Sequence, residues 1–172
     1  MPLRRGNLFL VGLPGAGKTT LGRQLARKLG KQFIDADTEL ERRLGVSIPT
    51  IFEIEGEAGF RDREESVIAD LTALRDVVLS TGGGAVLRAN NRACLRENGT
   101  VIYLHAEPKT LYGRIRHSRN RPLLRTDDPL ARLAELYAVR DALYRETATF
   151  VVDSERGEVM RLVRRFEMPS PS

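Results

Sequence analysis

Gly12-Leu13-Pro14-Gly15-Ala16-Gly17-Lys18-Thr19 sets the architecture of this chain, and the remaining sequence arranges itself around it. The stretch fits G-x-x-x-x-G-K-[ST], a loop that cradles phosphate. Its glycines let the backbone turn tightly and approach an anion with no Cβ in the way. Successive N–H groups then face the phosphates, and the following helix adds the positive end of its dipole. In this pattern Lys18 reaches the β- and γ-phosphates as a point charge, and the Thr19 hydroxyl sits on Mg2+. The apolar run Leu8-Phe9-Leu10-Val11 before the loop reads as a buried strand. Leu21, Leu25, Ala26 and Leu29 after it recur at helical spacing.

With 172 residues, 41% of them hydrophobic and 30% charged, the chain has the size and make-up of one globular domain. No apolar run is long enough to span a bilayer, and residues 1–6 lack the apolar core of a secretion signal. A cytoplasmic protein with no membrane partner is expected. Cys94 is the only cysteine, so no internal disulfide forms. Its place beside Leu95 in a helical stretch fits a small buried apolar group. The net charge is +5, and lysine appears only at positions 18, 28, 31 and 109, so the excess is arginine. Arginine holds carboxylates and phosphates bidentately, which suits an anionic small molecule. No basic block interleaved with aromatics argues for nucleic acid.

Beyond Gly30, residues 31–37 read as a second strand ending in Asp35 and Asp37. Residues two apart on an extended chain face the same way, so the two carboxylates are expected side by side. They would lie at the carboxyl end of the strand, where open parallel sheets bind ligands. Asp37 equally suits the N-cap of a helix Thr38–Leu44. Beside a phosphate loop, one carboxylate can hold the Mg2+ shell while the other addresses a substrate hydroxyl. Ser47, with Pro49 in the first turn, opens another helix. The glycines at 56 and 59 break it, and it restarts at Phe60, where Arg61 and Glu65 form an expected i,i+4 ion pair.

A third strand, Asp76–Thr81, runs into Gly82-Gly83-Gly84, three residues that suit close approach by a ligand or another backbone. A helix near Arg88–Glu97, a strand Thr100–Leu104 and a helix Pro108–Arg116 follow. The arginine-dense stretch 117–129 reads as a lid carrying arginine onto transferring phosphate. A helix Leu130–Thr147, a strand Thr149–Asp153 and a terminal helix complete the chain. His105 and His117 have no partner at metal-ligand spacing and read as structural or exposed. Strands alternating with helices about five times give an α/β three-layer fold, a parallel sheet with helices on both faces.

Taken together, the motifs resemble those of shikimate kinases. The matching pieces are residues 12–20, Asp-Ala-Asp at 35–37, Gly-Glu-Ala-Gly-Phe-Arg at 56–61 and Ser-Thr-Gly-Gly-Gly-Ala-Val at 80–86. Arg-Pro-Leu-Leu at 121–124, Arg-Asp-Ala-Leu-Tyr at 140–144 and Val-Asp-Ser at 152–154 complete them. The resemblance implies a P-loop NTPase fold with a five-stranded parallel sheet in the order 2-3-1-4-5. It implies transfer of the γ-phosphoryl of ATP to the 3-hydroxyl of shikimate by a single domain, residues 1–168, acting as a monomer. A substrate-binding helical region would span about 37–75, a lid about 116–129, and 169–172 would be a disordered tail.

By the same resemblance Gly15, Ala16, Gly17, Lys18, Thr19 and Thr20 bind the nucleotide, with Thr19 and Asp35 on Mg2+. Lys18, Asp37 and Arg121 are the catalytic candidates, Asp37 as base. Arg61 and Arg140 clamp the shikimate carboxylate, and Gly82, Gly83 and Gly84 supply backbone N–H. Arg114 and Arg156 lie along the adenine, and Arg121 reaches the phosphates. A gluconate-type kinase and a non-catalytic ligand-sensing module are the alternatives.

Overall fold

The computed structural model describes residues 6–117, 127–155 and 157–167. Five strands form one parallel sheet: β1 (Asn7–Val11), β2 (Gln32–Asp35), β3 (Val77–Ser80), β4 (Gly99–His105) and β5 (Phe150–Asp153). Their order is β2-β3-β1-β4-β5, as the resemblance implied. All five residues of β1 are buried, and Leu8–Val11 read as an unbroken apolar run because helices cover both faces of the sheet. Phe9 pairs with Leu79 on one side and Val101 on the other.

The chain moves from β1 out to β2, back to β3, then across β1 to β4. The order therefore reverses at β1, between its neighbours β3 and β4. In open sheets of this kind the ligand crevice lies outside the carboxyl ends of the strands at such a reversal. The loop 12–17 leaves β1 at that point.

Helix α1 (Lys18–Leu29) starts from Gly17 in a left-handed conformation and stops at Gly30, whose N–H reaches Ala26 O. It buries Leu21, Leu25 and Ala26 against the sheet. Helix α2 (Ala36–Leu44) follows β2 without a loop. Its cap is Asp35, whose Oδ1 accepts from Thr38 N at 3.0 Å. This corrects the sequence reading on two points. Asp37 is a first-turn helical residue rather than the cap, and the two aspartates are not alternate residues of one strand.

Helix α3 (Ile48–Thr72) carries the expected Ser47 cap and is bent at Gly56, with φ 72° and ψ −178°. The interruption is a kink at that one glycine, and the helix runs through Gly59. After β3 comes a single 3-10 turn, Ala85–Leu87, then α4 (Ala89–Asn98), α5 (Pro108–Ile115), α6 (Pro129–Thr147) and α7 (Glu158–Glu167). Cys94, in α4, is half-buried. His105 is buried at the end of β4, its Nε2 2.8 Å from the Tyr137 hydroxyl and its Nδ1 3.6 Å from Asp153 Oδ2.

Candidate active site

A cleft of about 450 Å3 opens at the carboxyl edge of the sheet, lined by residues 14–20, Asp35, Asp37 and residues 80–83. The loop is shaped by glycines with positive φ, 152° at Gly12 and 87° at Gly15. Gly12 has no room for a side chain, since a Cβ there would lie 2.7 Å from Leu104 O. Lys18 folds over the loop, its Nζ donating to Leu13 O at 3.1 Å and to the Gly12 carbonyl. Thr19 Oγ1 lies 3.4 Å from Asp35 Oδ2, so a hydroxyl and a carboxylate converge beside the phosphate loop.

Asp37 sits deeper. Burial foremost, then the negative charges of Asp35 and Glu64, push its carboxyl from 3.8 up to about 6, against the pull of Lys18. A carboxylate held there is mostly ionised at neutral pH and still basic enough to accept a proton.

The glycine triplet is where the candidates meet. A Cβ at Gly82 would lie 2.8 Å from Asp37 Oδ1, and one at Gly83 would lie 2.9 Å from Pro14 Cδ and 3.3 Å from Arg140 Nη1. A Cβ at Gly84 would run into the Arg61 guanidinium. Three successive glycines thus touch the aspartate from α2, the phosphate loop, the arginine from α6 and the arginine from α3. The sequence reading expected a ligand or another backbone to come close here; side chains are what crowd all three positions.

Arg61 does not pair with Glu65 as expected. Its Nη1 donates to Glu64 Oε1 at 2.9 Å, and its Nε lies 3.6 Å from Glu57 Oε1 without a hydrogen-bond partner. Glu65 is held instead by Arg88 Nη1 and Asn90 Nδ2, both at 2.7 Å. The sequence reading missed Glu64, which is 3% exposed. Burial raises its pKa, while Arg61, Arg140 and Arg88 resist the rise. Its only sequence signal is the i+3 spacing from Arg61.

On the nucleotide side, Arg114 Nη1 donates to Ala16 O at 3.3 Å and Nη2 to Ser154 Oγ at 3.2 Å. Arg114 therefore joins the phosphate loop to the segment after β5. Arg121, Arg156 and most of the expected lid lie outside the described residues, as does the tail 169–172.

Comparison with known proteins agrees with this geometry. The family model for shikimate kinase matches residues 14–167. A shikimate kinase from Ralstonia nicotianae is 60% identical over 157 residues, covering 91% of this chain and 83% of the relative. One from Dechloromonas aromatica is 57% identical over 166 residues, covering 94% and 91%. Among solved structures, shikimate kinase from Acinetobacter baumannii in complex with shikimate superposes with a TM-score of 0.88 at 44% identity, covering 95% of this chain and 91% of that one. With phosphate loop, sheet order and glycine triplet in place, the chain belongs to the shikimate kinase family.

Proposed function

We propose that this kinase transfers the γ-phosphoryl group of ATP to the 3-hydroxyl of shikimate, releasing shikimate 3-phosphate and ADP. The observation that carries the reading is the meeting of Asp37, Arg61 and Arg140 on the glycine triplet, whose Gly82 and Gly83 line the same cleft as the phosphate loop. Shikimate has a carboxylate at one end and hydroxyls at the other. The arginines and glycine N–H groups suit the first end, and Asp37 suits the second.

The substrate oxygen forms a bond to the γ-phosphorus as the bond from that phosphorus to the β,γ-bridging oxygen breaks. The electron pair leaves with ADP, and the hydroxyl proton passes to Asp37. Phosphoryl transfer needs alignment and charge neutralisation rather than a covalent intermediate. Lys18 and the N–H groups of residues 15–20 provide these on the donor side. Arg114 and Arg156 are assigned to the adenine and Arg121 to the phosphates, as the resemblance implies.

Mg2+ fits the oxygens present. Among the described residues no cluster of three His, Cys, Asp or Glu could hold a metal, but Mg2+ commonly takes only one or two protein oxygens and leaves the rest to phosphates and water. Thr19 and Asp35 would hold it, and when bound it neutralises charge on the β- and γ-phosphates. The resemblance implies a monomer, with residues 37–75 contributing to the acceptor side. No helix among the described residues is long and apolar enough to cross a membrane, in keeping with a cytoplasmic enzyme.

Coupled ADP-release assays with shikimate, gluconate and nucleoside monophosphates test the acceptor. Turnover with shikimate alone is expected. Turnover with gluconate in preference, or shikimate binding without ADP release, would overturn the reading.

A further inference from the structure

In the loop after β3 the carbonyls are taken while the glycine N–H groups are left over. Gly82 O accepts from Ala85 N, and Gly84 O from Leu87 N, both at 3.1 Å. Ala85 O accepts from the buried Asn91 Nδ2 at 2.9 Å, and Val86 O from Arg92 Nη1 at 2.7 Å. The remaining carbonyl, of Gly83, turns towards α6 and accepts the hydroxyl of Tyr144. Among the described residues, the N–H groups of Gly82, Gly83 and Gly84 have no acceptor.

Tyr144 is fully buried. Its ring packs on Tyr103 with centroids 4.8 Å apart, so the hydroxyl has little freedom to move. A tyrosine hydroxyl has one proton to give and lone pairs to receive. The proton goes to Gly83 O. Arg140, one helical turn earlier, brings its Nη1 to 3.3 Å from where a Gly83 Cβ would stand, and its charge opposes the rise in the Tyr144 pKa that burial produces. The peptide between Gly83 and Gly84 is trans, so the Gly84 N–H points away from the carbonyl that Tyr144 holds. One hydroxyl thus holds the peptide that carries the Gly84 N–H, at the residue against which Arg140 packs.

We propose that Tyr144 is a positioning residue for shikimate, its hydroxyl fixing the Gly83–Gly84 peptide and with it the direction of the Gly84 N–H beside the Arg140 guanidinium. The inference rests on the reading of Arg140 as a carboxylate-binding residue. It goes further in giving acceptor affinity a determinant that never touches the acceptor. Removing the hydroxyl leaves the Gly83 carbonyl free to rotate beside Arg140, while the phosphate loop keeps all of its own contacts.

The test is steady-state kinetics on Tyr144→Phe, Tyr103→Phe and Arg140→Lys. Tyr144→Phe is expected to raise the KM for shikimate about tenfold, with kcat and the KM for ATP within about twofold of the parent. Tyr103→Phe removes a hydroxyl from the same buried stack, bonded 2.8 Å from Asp141 Oδ1, and should leave both KM values unchanged. An unchanged shikimate KM in Tyr144→Phe, or equal rises for both substrates, would overturn the proposal. An unchanged shikimate KM in Arg140→Lys would instead overturn the carboxylate reading beneath it. If Tyr144→Phe does not fold, the Gly84 amide resonance of the parent protein decides. It should shift on saturation with shikimate, and no shift overturns the proposal.

Discussion

At Asp37, chemistry and stability pull in opposite directions. As the proposed base it must be ionised, so kcat/KM for shikimate should fall about tenfold per pH unit below about 6 and level off above. A flat profile from about pH 5 to 8 would remove Asp37 from the proton transfer. The same shift has a stability consequence. A carboxyl with a higher pKa folded than unfolded favours the native state fully below 3.8 and loses that contribution as pH rises through about 6. At pH 7 the ionised group therefore opposes folding. Asp37→Asn should lose at least about 100-fold in kcat. It should gain roughly 1–2 kcal/mol at neutral pH, about 2–8 °C in Tm, with the gain disappearing towards pH 4. Melts at the two pH values check this, and a variant less stable at pH 7 would contradict it. Asp35 and Asp37 were legible from their place after a strand and beside a phosphate loop. Their geometry was not, because Asp35 ends the strand by capping α2. Glu64 was illegible, since a glutamate in the charged run 61–65 reads as solvated until α6 and the turn before α4 bring Arg140 and Arg88 near it.

The loop after β3 behaves as an element whose function is to be thin. None of its three glycines has positive φ, so alanine is conformationally allowed and only space forbids it. At Gly84 the obstacle is the far end of the Arg61 side chain, which can move aside without unfolding anything. Gly84→Ala should therefore keep its fold while displacing the guanidinium. Misplacing a binding group by about 1 Å costs up to roughly 100-fold, so the shikimate KM should rise at least about tenfold. Circular dichroism melts with shikimate and ATP kinetics check this, and an unchanged shikimate KM would contradict it. Most elements were readable in the sequence for physical reasons: buried parallel strands are continuous apolar runs, and Ser47 and Gly30 mark helix ends. The continuity of α3 was not readable. Gly56 and Gly59 look like a break, but only Gly56 leaves helical geometry. Arg63 reaches back to Glu55 across the bend with bonds of 2.6–3.0 Å.

Across the whole molecule, the reversal of strand order at β1 brings the site together. The loop after β1, the start of α2 after β2 and the triplet after β3 all leave the sheet at one edge, and α3 and α6 bring their arginines to it. The alternation of strands and helices was enough to give a parallel three-layer fold. It could not give the order of the strands, which only the resemblance supplied, because periodicity says which face is buried and not which strands are neighbours. The family membership follows from the comparisons, while the destination of the phosphate rests on the proposed orientation of the acceptor by Asp37 and the arginines. Phosphorus–proton correlation NMR on the product made from Mg-ATP and shikimate reads that orientation. A single phosphate monoester coupled to the proton on C3, appearing in step with ADP, is expected. A phosphate on another hydroxyl, or ADP formed with shikimate left unmodified, would contradict it.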